Sequence, residues 1–569
     1  LYKYIMSAGT VDTTFNNPLG YVIKQYTSGK DTLGNSVAID SVGRIVVTGN
    51  TLDDTFKSSM FITRYKIDGT IDTTFNATSG YVTKQYTSGI STIGSSVAID
   101  SDDRIVVTGY TFDDTFKSSM FITRYNTDGT IDTTFNATSG YVIGQFPDGI
   151  STEGNSIAID SVGRIVVTGS TFDGTNIFSM FITRYNTDGT IDTTFNVTSG
   201  YVTKQFPDGI STIGESVAID SDDRIVVTGN TFDGTNTDSM FITRYKTDGT
   251  IDTTFNGTSG YIIGQFPDGQ STFGRSVAID SDDRIVVTGN TLDATGIYSM
   301  FITRYKTDGT IDTTFNGISG YVTKQFPDGQ NTGGISVAID SDDRIVVTGG
   351  TIDGPNIFSM FITRYKTDGT IDTTFNGISG YVTKQFPDGQ STGGRSVAID
   401  SDDRIVVTGV TSDDTNIFSM FITRYLGNTT EPICLPAGTP ILTDQGIIAI
   451  EQIDTKVHTI NNRRIIAVTT TITPEKNLVC FEANSMGINC PSKRTVMTPG
   501  HEVLYKGKLV QSKHFVGRIE GVHTIPYNGK DVLYNVLQEK HGLMRVNNMV
   551  LETLHPGNKV AKEILNNKY

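Results

Sequence analysis

The chain repeats itself every 60 residues: SVAID begins at residues 36, 96, 216, 276, 336 and 396, with SIAID at 156. RIVVTG and SMFITRY each recur seven times, from Arg44 to Gly409 and from Ser59 to Tyr425. A period of this length restricts the fold to architectures that stack or close like units, since one unit cannot bury its apolar face alone. In the second copy, four short runs rich in β-branched and aromatic residues, at 81–85, 96–100, 104–109 and 120–125, predict strands. Between them, Asp100 to Asp103 and Thr127 to Gly129 supply residues that tolerate the backbone angles of tight turns. Four antiparallel strands per unit, repeated seven times without helical periodicity, predict an all-β, seven-bladed β-propeller over residues 1–425.

An open solenoid would need polar caps on its end repeats, and the end units here are ordinary. Residues 8–16 (AGTVDTTFN) copy the DGTIDTTFN that follows the fourth strand elsewhere, so the N-terminus supplies a linker that the last unit, ending at Tyr425, lacks. That complementarity favours a closed ring, which also hides strand edges. On RIVVTG and RYKTDGTIDTTF the units resemble the delta-sixty repeats of bacterial propellers, a family that brings little functional knowledge with it.

Charge is divided unevenly. Before Cys434 there are 29 basic and 50 acidic residues, a net of −21, and from Cys434 onward 16 and 11, a net of +5. So acidic a first part repels nucleic acid, and no nucleic-acid partner is expected. No apolar run approaches the roughly 20 residues of a membrane-spanning helix, and the opening LYKYIMSAGTVDTTFN lacks a signal-peptide pattern. Because the chain begins at Leu1, whether residues 1–5 belong to the natural protein stays open. All three cysteines and all six histidines lie at or beyond residue 434, so reactive chemistry is expected there.

The copies differ most in the loops after the first and third predicted strands, which an antiparallel blade places on one face. Ligand selection and drift in exposed loops both account for this. The expected partner is an unidentified glycan or protein on that face, where sevenfold repetition offers avidity. Asp100, Asp102 and Asp103 suggest calcium, but the D-x-D-x-D-G loop with its distal Glu is absent and the turn needs Asp for conformation. No metal or cofactor is expected. Sequons at Asn76, Asn136, Asn196, Asn256 and Asn428 matter only in a secreted chain.

After Tyr425 the period stops. LGNTTEPI (426–433) forms a polar linker, and a second, smaller all-β domain is expected over 434–569. Its opening, CLPAGTPILTDQGIIAIEQI, and the T-x-x-H of Thr498 to His501, preceded by LVCFEANSMGINCPSKRTVM, resemble the Hint (hedgehog/intein) family. The resemblance implies self-processing. The Cys434 thiol attacks the carbonyl carbon of Ile433, exchanging an amide for a thioester, His501 protonates the departing amine, and Thr498 hydrogen-bonds the scissile amide. The sequence locates no oxyanion donor. DVLYNVLQEKHGLMRVNNMVLETL resembles the closing intein block and places His541 at its histidine. Glu552 and Thr553 stand where splicing needs His and Asn, and Asn558 is followed by Lys559, so hedgehog-like cleavage without splicing is expected. Water or another small nucleophile would resolve the thioester.

The alternative is that Cys434 and His501 are packed core residues and the chain is an intact structural or adhesive protein at a virion or cell surface. VNNMVLETLHPGNKVAK resembles the ends of Hint-type proteins of giant amoebal viruses. Cys480 and Cys490 could pair as a disulfide or join a histidine at zinc. C-x-x-C spacing is absent, and packing is the expected role. His458, His514, His523 and His555 show no partner in the sequence.

Overall fold

The computed structural model describes residues 8–428 and 433–554, apart from 87–90, 148–150, 173, 175–176, 209, 233–236, 268–270, 328–329, 353–357, 378, 389, 413–414 and 473–475. Most of the linker, parts of the variable loops, residues 1–5, His555, Asn558 and Lys559 therefore lie outside the described residues. Contacts divide the described residues into two compact units, Ala8–Asn428 and residues 433–554. Among the described residues the only helical elements are 3-10 turns at Ile450–Gln452 and Ser512–Phe515.

The first unit is a seven-bladed β-propeller of four-stranded antiparallel sheets. In the first blade the order from the axis outward is Thr32–Ile39, Ile45–Leu52, Ser58–Tyr65 and Tyr81–Lys84. Blades cover both faces of one another's sheets, which explains why RIVV and MFI are continuous apolar runs rather than alternating ones. Val46, Met60 and Ile62 of one blade pack with Ile105, Val107 and Phe121 of the next. Successive inner strands touch around the axis, and the seventh, Thr392–Ile399, packs against the first, Thr32–Ile39. The ring is closed.

Two details differ from the sequence reading. Each inner strand starts earlier than predicted, as in Ser91–Ile99, because a β-bulge between Gly94 and Ser96 interrupts the alternation that would reveal it. Opposite the bulge the backbone comes so close that a Cβ on Gly109 would lie 1.9 Å from the Ile93 carbonyl oxygen, so this position of RIVVTG must be glycine. The blade boundary also falls one strand later: the first strand of each sequence unit is the outer strand of the preceding blade. The N-terminus thus supplies more than a linker. Tyr21–Lys24 pairs with Phe418–Tyr425, Val22 opposite Ile422, and completes the last blade.

A buried ion pair accompanies every blade. Arg64, 2% exposed, meets Asp72 at 2.8 Å, lies over the Phe75 ring and donates to the Thr127 carbonyl of the next blade's linker. At the closure Arg424 meets Asp12 at 2.8 Å and donates to the Ile67 carbonyl, so the same clamp joins the two ends of the unit. The acidic turns are conformational, as expected: Asp100 accepts from the amides of Asp102 and Arg104, while Asp103 accepts from Ser41 of the neighbouring blade. Asn76 likewise spends its side-chain amide inside its own turn, on the Tyr81 carbonyl.

Among the described residues the second unit contains three sheets. Leu435–Pro436 pairs with Leu533–Gln538, which pairs with Arg463–Thr471, itself followed by Thr459–Ile460. Asn477–Phe481 lies between Thr495–Met497 and Val522–Pro526. Six strands, Gly446–Ala449, Pro440–Thr443, Leu543–Val546, Met549–Glu552, Glu502–Tyr505 and Lys508–Gln511, form the third. Leu435, Ile441, Phe481, Met497, Val536 and Leu551 belong to one core that joins them.

Removing one member of a buried ion pair leaves an uncompensated charge and costs about 3–5 kcal/mol. Asp12→Ala is expected to destabilise the propeller by that amount, whereas Asp68→Ala, in an exposed turn, changes little. Urea unfolding of the two variants checks this. Equal losses would deny the closing clamp its role.

Candidate functional site

Cys434 directly precedes Leu435–Pro436, and the pairing of Leu435 with Tyr534 brings Asn535 alongside the start of the domain. Thr498 follows the strand Thr495–Met497 and His501 precedes Glu502–Tyr505; Pro499 and Gly500 turn the chain between them, with the His501 amide donating to the Thr498 carbonyl at 3.1 Å. Local turn chemistry and strand pairing thus converge on one peptide bond. The amide of Cys434, the nitrogen side of the Ile433–Cys434 bond, donates to Thr498 Oγ1 at 2.8 Å. The Thr498 amide returns a bond to the Cys434 carbonyl at 3.0 Å. On the carbonyl side, Asn535 Nδ2 donates to the oxygen of Ile433. Asn535 Oδ1 accepts from the Val536 amide at 2.7 Å, which fixes which end of the side chain faces Ile433. This donor was missing from the sequence reading.

His501 is fully buried. Its Nε2 lies 3.2 Å from the Glu552 carbonyl oxygen; the ring is near enough to the Cys434 backbone to feel it, but Nδ1 has no partner in hydrogen-bonding geometry. Burial pushes its pKa down to about 4, against the pull of the Glu552 and Cys434 backbones, so the ring is neutral at pH 7. The Cys434 side chain sits among Leu478, Leu533, Val496, Ile525 and Tyr527, and burial pushes its thiol up to about 12. Leu478, Val496, Ile525, Tyr527 and Leu533 also line a cavity of about 410 Å³, so the thiol's cover borders open space.

Residues 433–558 match the family model of the Hint domain. The C-terminal unit is a Hint domain. Five stretches upstream, 101–135, 163–195, 221–255, 281–315 and 341–375, match a β-propeller described as a domain of unknown function, DUF5122. No curated protein matches the chain. Among solved structures, a polysaccharide lyase, PL25 ulvan lyase, bound to -[GlcA(1-4)Rha3S]-, shares 13% identity over 71% of this chain and 96% of its own, with a TM-score of 0.41. A Dyadobacter fermentans protein of unknown function shares 9% over 72% and 98%, at 0.38. The Trypanosoma rangeli sialidase with the inhibitor DANA shares 10% over 94% and 90%, at 0.32. Likeness at this level says nothing of activity, and none of these matches bears on the viral resemblance of the closing stretch.

His541 of the Hint domain is linked to His501 through Glu552: its Nε2 lies 3.3 Å from Glu552 Oε2, and Glu552 meets His501 through its backbone. Thr553 is engaged with the Gly542 backbone through both its amide and its hydroxyl. Cys434, Cys480 and Cys490 are all free, so the disulfide alternative is not realised. His458 caps the Asp454 turn, and His514 is exposed.

Two buried groups of the Hint domain titrate in opposite senses. The unfolded chain protonates His501 more readily than the folded one does, so this residue costs stability as pH falls from its ordinary 6.5 towards 4. Burial raises Glu552 from 4.5 to about 7, so its contribution is lost as pH climbs between those values. The slopes oppose one another, leaving the native domain nearly flat. Glu552→Gln is expected to expose the His501 slope, with stability rising between pH 4 and 6.5 by on the order of 3 kcal/mol. Urea midpoints across that range check it, and a flat variant would exclude a buried neutral His501.

Proposed function

We propose that the Hint domain cuts the Ile433–Cys434 bond of its own chain and releases the propeller, without splicing. One observation carries this reading: Thr498 holds the nitrogen of that bond while Asn535 holds its carbonyl oxygen. His501, neutral and with Nδ1 unpaired, takes the thiol proton as the Cys434 sulfur bonds to the Ile433 carbon. The oxyanion that forms faces Asn535 Nδ2. His501 then passes the proton to the Cys434 nitrogen as the C–N bond breaks, leaving a thioester. Water attacks the thioester, restoring the thiol and leaving a carboxylate on Ile433. Glu552 and Thr553, in place of a splicing His-Asn pair, supply no second cleavage. His541 acts here as a positioning residue through Glu552.

Intact masses of the full chain, with and without a strong thiol, test the reading. A fragment ending at Ile433 is expected, accelerated by thiol and absent from Cys434→Ala and His501→Ala. Asn535→Ala should slow cleavage by roughly 10²–10³-fold, the usual loss for one oxyanion donor. Only full-length material in every condition would favour the intact structural protein instead.

The released propeller acts as a glycan-binding module through its variable face. Within the strands, the most varied positions across the copies are those of Leu33, Asn35 and Asn50, each with five residue types. Leu33 pairs with Asn50, and Asn35 is the bulge residue. The exposed turns of the opposite face scarcely vary, so exposure alone does not explain the pattern. Lys30 lies over Phe56, which places the two variable loops together at the same end. Neighbouring blades share the bulge ring, as in Arg275 with Glu215 at 2.8 Å and Arg395 with Asn35. Amides, carboxylates and guanidinium groups, with Tyr110 and Phe273, suit a hydroxyl-rich ligand. A glycan array probed with the Cys434→Ala chain should show binding that Arg275→Ala/Arg395→Ala weakens at least tenfold. An unchanged profile would refute the assignment.

A further inference from the structure

The geometry points to a transition-metal site in the Hint domain, suited to Zn²⁺, built from Cys480, Glu482 and His523. It lies apart from the cleavage machinery and does not depend on it.

Cys480 and His523 are direct partners across the antiparallel pair Asn477–Phe481 and Val522–Pro526. Glu482 follows two residues after Cys480. Cys480 Sγ lies 3.5 Å from Glu482 Oε1, His523 Nε2 lies 3.8 Å from the same oxygen, and one ligand atom from each residue falls within 4.8 Å of the others. Tetrahedral zinc, with bonds of about 2.3 Å to sulfur and 2.0–2.2 Å to nitrogen or oxygen, sets its ligands roughly 3.3–3.7 Å apart. The two separations to Glu482 Oε1 lie within a few tenths of an ångström of that range, and the third, between Cys480 and His523, within 4.8 Å, so closing on an ion asks only for side-chain rotation.

A cation already stands at this point. Arg494 Nε lies 3.1 Å from Cys480 Sγ and 3.5 Å from Glu482 Oε1. The Arg494 side chain is 54% exposed, so it can swing into solvent and yield its place. The Glu482 and His523 side chains are nearly half exposed, which gives an ion access and leaves the fourth coordination position to water. One sulfur, one imidazole and one carboxylate form a borderline-soft set that favours Zn²⁺ over Ca²⁺ or Mg²⁺. Sequence spacing conceals the arrangement, because Cys480 and His523 meet only through strand register. A bound ion would clip the strands that carry Leu478 and Ile525, two of the residues covering the Cys434 thiol.

Co²⁺ titration of the full chain carrying Cys434→Ala, which removes the thiol of the processing site, tests the assignment. One equivalent should produce a thiolate-to-cobalt charge-transfer absorption that Zn²⁺ abolishes. The band should vanish in Cys480→Ser, weaken at least tenfold in affinity in the surface variant His523→Ala, persist in Cys490→Ser and strengthen in Arg494→Ala. No thiolate band, or a band that survives both Cys480→Ser and His523→Ala, would overturn the proposal and leave Arg494 as the permanent partner of Cys480.

Discussion

A guanidinium buried against a carboxylate organises the propeller. Arg64 and its six counterparts each grip an aspartate, in six blades that of the linker following their own strand and at the closure Asp12 of the N-terminus, and reach a backbone carbonyl one blade further on. One side chain thereby sets both the path of the linker and the position of the next blade. A buried charge of this kind tolerates little displacement, because neither partner has water to fall back on. The strongly acidic balance of the first unit is consistent with this design, since many of its aspartates are spent on turns and clamps rather than on an external partner.

The fold was legible wherever a physical signal was local. A 60-residue period and four apolar runs per unit suffice for seven four-stranded blades. The blade boundary was not legible, because Tyr21–Lys24 looks alike whether it belongs to the blade before or after it. The start of the inner strand was hidden by the bulge. In the Hint domain, Cys434, Thr498 and His501 could be read from short motifs, and the structure gathers them around the Cys434 backbone. Asn535 could not, since its place beside Ile433 depends on a strand pairing that spans about a hundred residues of sequence. Glu552 reads as a mere departure from an intein ending until folding places it between two histidines.

Burial gives the Hint domain a quiet resting state. With the thiol pushed up and the imidazole pushed down, sulfur and ring are both uncharged near neutrality, and neither is poised on its own. The Ile433–Cys434 amide, by contrast, is already gripped at both ends. In the proposed cleavage, reactivity hinges on how readily Leu478, Ile525 and their neighbours let the sulfur move, which would make packing over the thiol the control point.

The N-terminal strand leaves the ribosome some four hundred residues before its partner, Phe418–Tyr425, exists. During that wait every intermediate blade offers it an almost indistinguishable edge. No residue identity marks the correct destination. What excludes the wrong ones is tether length: each earlier edge is claimed by the copy of this strand that follows it through a short linker, at far smaller loop-closure entropy. The last edge has no such claimant, and so the circle is completed by elimination, with its circumference acting as the address.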